Sequence, residues 1–178
     1  MLNPKIEKAR QAALDLLKPS EKDLEHGLAL HAGSLVVESY GLPPRAAVDA
    51  DALNAAVEAG ASPREAGAMM TDMILTRMVT DPRQHAEYAE AWEASGVDCM
   101  LPMAGQMNQS PLELIHCLAH MTYTADLAGV VDRAVTPDDI AASREKGKPC
   151  FYMSAIGVPL TQSWECVEEE LTYIRIVF

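Results

Sequence analysis

His116 and His120 stand four residues apart, which would put two imidazoles on one face of a helix. That spacing serves zinc when a glutamate follows the first histidine and a third ligand comes from elsewhere. Here the stretch reads His116-Cys117-Leu118-Ala119-His120, with no glutamate, so structural or surface histidines are the simpler reading. His31 offers a different geometry. Residues two apart in a strand face the same side, so a His-x-Asp pair at the end of a barrel's first strand can send two ligands to one metal. The sequence reads His31-Ala32-Gly33, and glycine has no side chain to coordinate with. His31 is therefore a candidate metal ligand lacking its expected partner, set against a histidine that merely hydrogen-bonds.

Other reactive residues are easier to explain structurally. Cys99, Cys117, Cys150 and Cys166 form no C-x-x-C motif and no zinc-ribbon spacing. Cys99 and Cys150 lie in apolar runs and read as small buried hydrophobes. Free thiols suit a reducing cytosol, so a cytoplasmic location is expected. Glu168, Glu169 and Glu170 read as a solvated helix face, and Asp138 and Asp139 as charges favoured at a helix start. There is no G-x-G-x-x-G, P-loop or G-x-S-x-G sequence.

Composition narrows the classes. A length of 178 residues suits one domain with a real core, and 49% hydrophobic with 22% charged residues argues against a wholly disordered chain. The net charge of -12 repels phosphate backbones and disfavours nucleic-acid binding. The opening MLNPKIEKARQAALDLLK carries charges throughout and is no signal peptide, and no apolar run is long enough to span a bilayer. No membrane attachment is expected.

The elements that must position these residues follow from periodicity and caps. Helical spacing covers residues 3–17, and Ser20 with Asp23 starts a second short helix. Residues 28–39, LALHAGSLVVES, read as a buried strand and its continuation, with His31 and Gly33 in its middle. A loop at 41–45 and a short helix at 49–60 follow. Ser62-Pro63-Arg64-Glu65, Ser110-Pro111-Leu112-Glu113 and Thr136-Pro137-Asp138-Asp139 each combine a cap, a proline and an acid. They predict three helix starts. Met69, Met70, Met73, Ile74, Arg77 and Met78 form a methionine-rich stripe that reads as core packing. A helix at 85–96, strands at 97–105 and 150–160, and an amphipathic helix at 163–178 complete the pattern. Strands separated by helices predict an α/β fold with parallel strands and right-handed crossovers. Three strands are too few for a closed eight-stranded barrel, so the expectation is a partial TIM-type (β/α) barrel with inserted helices. The apolar end Ile176-Val177-Phe178 suggests that another strand ought to follow.

Six stretches together resemble the membrane (renal) dipeptidase family. They are His31-Ala32-Gly33-Ser34-Leu35-Val36-Val37-Glu38-Ser39-Tyr40-Gly41, then Ser95-Gly96-Val97-Asp98-Cys99, then Thr136-Pro137-Asp138-Asp139-Ile140-Ala141 with Lys146-Gly147-Lys148, then Gly157-Val158-Pro159-Leu160, then Glu168-Glu169-Glu170-Leu171-Thr172-Tyr173-Ile174-Arg175. Their order and spacing carry the resemblance. It covers nearly all of this chain but only the N-terminal part of the family's barrel. It implies an amidohydrolase-type TIM barrel with two zinc ions, hydrolysing dipeptides or related amides. It also implies a His-x-Asp pair on the first strand, where His31 matches and Gly33 replaces the Asp. A bridging Glu is implied at the end of the third strand, where Ile156 or Ala155 stands. A two-metal hydrolase needs such a carboxylate to hold its ions about 3.5–4 Å apart. The resemblance thus implies a metal-dependent hydrolase part, inactive alone, whose barrel is completed by a second chain or by further sequence. The alternative is a non-catalytic, homo-oligomeric scaffold or small-molecule-binding domain, since exposed sheet edges need covering.

Overall fold

A computed structural model describes residues 3–105, 109–155 and 168. The expected helix at 163–178, the loop Gly157-Val158-Pro159-Leu160 and the strand position Ile156 lie outside the described residues, apart from Glu168, which is helical and exposed.

The described chain is mixed α/β. Helix α1 (Pro4–Leu17) starts with Asn3, whose side chain accepts from the Lys5 amide. Helix α2 (Glu21–Gly33) starts with Ser20, which accepts from the Asp23 amide. Strand β1 (Val37–Gly41) and the Asp49-capped α3 (Ala50–Glu58) follow. Next come α4 (Pro63–Thr80), α5 (Pro82–Ser95) and β2 (Cys99–Gly105). The chain continues with α6 (Pro111–Ala128), β3 (Asp132–Ala134), α7 (Pro137–Glu145), β4 (Cys150–Tyr152) and β5 (Ser154–Ala155).

One expected element is corrected. Residues 28–33 are not strand but the end of α2, and the strand begins only at Val37. The Ser20 cap starts a helix that meets no proline, and Leu24, Leu28 and His31 recur at helical spacing. The backbone turns extended at Ser34, whose hydroxyl donates back to the Leu30 carbonyl at 2.7 Å. Extended structure thus starts where β-branched Val36 and Val37 replace the Leu/Ala run.

The three cap motifs behave as their chemistry requires. Ser62, Ser110 and Thr136 each accept from the amide three residues on, and Glu65, Glu113 and Asp139 reach back to the cap backbone. The Ser62 hydroxyl and amide hold the Glu65 carboxyl below its ordinary value. The Ser110 amide and hydroxyl do the same for Glu113, and the Val135 and Thr136 amides for Asp139. A carboxylate held below its unfolded value adds stability that is complete above that value and is lost as pH falls through the folded one. The urea midpoint should therefore drop as pH falls below about 4, the unfolded carboxylate range. Glu65→Gln, Glu113→Gln and Asp139→Asn combined should flatten that slope; an unchanged slope would remove these caps as its source.

Every strand pair is parallel, in the order β1-β2-β4-β3, with β5 also beside β2. β4 and β5 flank Met153 and both run along β2, so they are two halves of the expected third strand. The short edge strand β3 was not expected. Three residues carry too little pattern to be read as a strand.

Alternation along β2 and β4 sorts the core. Met100 and Phe151, in register, face Met78 of α4, Tyr88 and Trp92 of α5, and Ala125 and Ala128 of α6. Cys99 and Cys150, also in register, face the other way with Ala134, against Leu101, Tyr152 and Ile140 of α7. Of the methionine stripe, Met73 and Met78 are buried and Met70 is exposed. Helices α4 and α6 are held side by side by the Thr124 hydroxyl, which donates to the Leu75 carbonyl at 2.5 Å.

The end of the sheet where the strands start carries the Arg144–Asp98 pair, beside the pairs that Asp132 makes with Lys146 and Lys148. Asp98 accepts from the Val36 amide at 2.8 Å and from Arg144 Nη1 at 2.6 Å, and Arg144 also donates to the Ser34 carbonyl at 2.5 Å. Both side chains are partly solvated, at 33% and 24% exposure, so the pair is worth less than a buried one. Arg144→Met should lower unfolding free energy by about 1 kcal/mol in urea titrations. A change near zero would leave the β1, β2 and α7 junction to backbone pairing alone.

Candidate functional site

Parallel β/α arrangements place chemistry at the C-terminal ends of their strands. Here that side is formed by Gly41, Gly105 and Ala155, with the loops that follow β1 and β2. β2 leads after Gly105 into the Ser110 cap of α6. The first turns of α6 therefore stand beside this rim, and the first turns of α4 lie against them.

Between α4 and α6 runs a groove of about 580 Å³. Arg64, Thr71, Gln109, Glu113, His116 and His120 supply its polar lining. Both helix-borne histidines reach it, as their spacing requires. His120 Nε2 lies 3.1 Å from Asp72 Oδ1 of α4, while its Nδ1 is buried with no hydrogen-bond partner among the described residues. Asp72 orients the ring by holding one nitrogen, the usual role of a carboxylate beside an imidazole. Cys117 shares the groove and accepts from Gln109 Nε2 at 3.6 Å. Burial pushes its thiol up, against the Gln109 contact that pulls it down, so it lacks the activated character of a nucleophilic cysteine. The groove has donors and acceptors for a small polar ligand. Sequence reading missed Asp72, because nothing in a helix spacing points to a partner 48 residues away.

The strand-end positions carry little metal chemistry. Since β1 ends at Gly41, the residues two apart that flank its end are Tyr40 and Leu42, not His31 and Gly33. His31 lies in the last turn of α2, on the opposite side of the sheet, where its ring sits over Gly96 just ahead of β2. The alternation argument for a strand-borne His-x-Asp pair does not apply to a helix. At the third strand, Ala155 ends β5 and offers no side-chain donor. Among the described residues, no group of three or more His, Cys, Asp and Glu side chains is placed to hold a metal ion. These residues do not by themselves fit a zinc pair.

The remaining candidates have structural places. Asp138 and Asp139 sit in the first turn of α7. Cys99 and Cys150 are free and fully buried, as their apolar surroundings suggest. No helix among the described residues is long and apolar enough to cross a membrane. No protein-family model matches the chain, and no curated protein or solved structure matches it.

Proposed function

We propose that this chain is the N-terminal β/α portion of a membrane-dipeptidase-like, metal-dependent hydrolase acting on dipeptides or related amides, and that it is inactive alone. The supporting observation is the order of its three main strands. β1, β2 and the split β4/β5 are parallel neighbours in chain order, with helices α4 to α6 on one face, as at the start of a (β/α) barrel. Tyr40, Leu42 and Ala155 at the strand ends account for the inactivity, because none is an imidazole or a carboxylate. Zinc would then depend on donors from outside the described residues. Completion of the barrel falls to a homo-oligomer or a second chain. Edge strand β1 supports this, with Val37 47% and Tyr40 61% exposed. The net charge of -12 keeps nucleic acid out of the partner set. The location proposed is cytoplasmic.

Light scattering after size exclusion, elemental analysis and a dipeptide panel test this together. The expected result is a metal-free assembly that hydrolyses nothing. One or two zinc ions per chain with chelator-sensitive hydrolysis would overturn the inactivity. A stable, cooperatively folding monomer would overturn the partial barrel. The α4–α6 groove favours a second reading, a non-catalytic binding domain for a small polar ligand. Chelator-sensitive dipeptide hydrolysis would sink that reading.

A further inference from the structure

Cys99 and Cys150 are register partners on adjacent parallel strands, so their side chains leave the sheet on the same face, side by side. Neighbouring strands lie about 4.8 Å apart. That falls inside the window of about 4.4–6.8 Å between Cα atoms that a disulfide accepts. Both residues are free and 0% exposed, and they share one cluster with Ala134. We infer that Cys99 and Cys150 form an oxidisable dithiol, closed to a cross-strand disulfide by a small hydroperoxide.

The surroundings support reactivity between the two sulfurs. The neighbouring Cys150 thiol pulls the Cys99 thiol down, against its burial, with the Tyr152 backbone assisting. The same contact and burial push Cys150 up. On their face of the sheet the two thiols are covered by Ala134 of β3 and Ile140 of α7, so a small peroxide reaches them through local opening of that edge.

The chemistry balances with hydrogen peroxide alone. The Cys99 sulfur attacks a peroxide oxygen, the O–O bond breaks, and the leaving hydroxide takes the thiol proton as water. The Cys150 sulfur then attacks the sulfenic sulfur of Cys99, the S–O bond breaks, and a second water leaves with the Cys150 proton. Two thiols are oxidised to one disulfide and the peroxide is reduced to two waters.

The test treats the native chain with graded hydrogen peroxide, blocks remaining thiols under denaturing conditions, and maps peptides by mass. Met70, 43% exposed, reports the dose through its sulfoxide. The expected product is a peptide pair joined through Cys99 and Cys150, lighter by two hydrogen atoms and separated by dithiothreitol. In Cys150→Ser, Cys99 should be trapped as a sulfenic acid by dimedone instead. Both cysteines still alkylated once Met70 is fully converted would overturn the inference. So would Cys99 joined to Cys117 or Cys166, or a Cys150→Ser chain whose Cys99 resists dimedone at that dose.

Discussion

Trp92→Ala should cost about 3–5 kcal/mol of unfolding free energy, the range for truncating a buried aromatic. Trp92 is 3% exposed and joins two layers of the molecule. Its ring meets Phe151 of β4 edge-on at 5.5 Å and Tyr88 of its own helix at 6.3 Å, so it is the hinge between α5 and the sheet. The deletion would open a cavity lined by Met78, Met100 and Ala128, residues from three elements that cannot all move inward together. It would also leave the Tyr88 hydroxyl in an apolar hole. Burial already pushes that group up to about 12, with only partial relief from Trp92. A typical domain has about 5–15 kcal/mol to lose, so the variant should be marginal or lose its cooperative urea transition. Trp92→Phe should retain most of the stability, because it keeps the edge-on contact with Phe151. Leu16→Ala is the control: at 83% exposure it should change stability by less than about 0.5 kcal/mol. A Trp92→Ala loss no larger than that control would mean that α5 does not pack on the sheet through this side chain.

Local chemistry made much of this fold legible. A serine or threonine, a proline and an acid at fixed offsets satisfy exposed amides whatever the rest of the chain does, and α4, α6 and α7 begin where those motifs stand. Gly96 and Gly129 end α5 and α6 in the left-handed conformation that glycine adopts without strain. The misread stretch was the one without such punctuation. Residues 28–37 are almost uncharged, and in a short apolar run helix and strand periods both fit. The decision came from the Ser20 cap upstream and the valines downstream. Read as strand, this stretch puts His31 at a strand end, and with it the metal ligand that the resemblance assigns to this chain; as helix it does not. The candidate groove was illegible for a different reason. His116 and His120 share a face by spacing alone, but Asp72 and Arg64 reach them only because α4 and α6 run side by side, and that pairing is tertiary.

The place of His31 is itself open to a direct test, and the expected effect is large. Gly96 closes α5 with φ of 61°, and a Cβ built there would lie 2.7 Å from His31 Cε1 and 3.0 Å from Nδ1. Gly96→Ala thus meets two separate penalties. The left-handed backbone costs a residue with a side chain about 1–2 kcal/mol. The contact is with the ring end of an exposed side chain that can rotate away, so it adds at most about 1 kcal/mol. His31→Ala alone removes an exposed ring and should change stability by less than about 0.5 kcal/mol. Combined, the two substitutions should recover the contact part and leave the conformational part, so the pair couples by at most about 1 kcal/mol in a double-mutant cycle. The readout bears on function as well as on packing. Coupling would fix His31 over the turn ahead of β2, at the end of the sheet where strands begin, and would keep it from any metal bound at the rim where they end. Additive losses would mean that the exposed ring turns away from Gly96 at no cost, with His31 still in the last turn of α2.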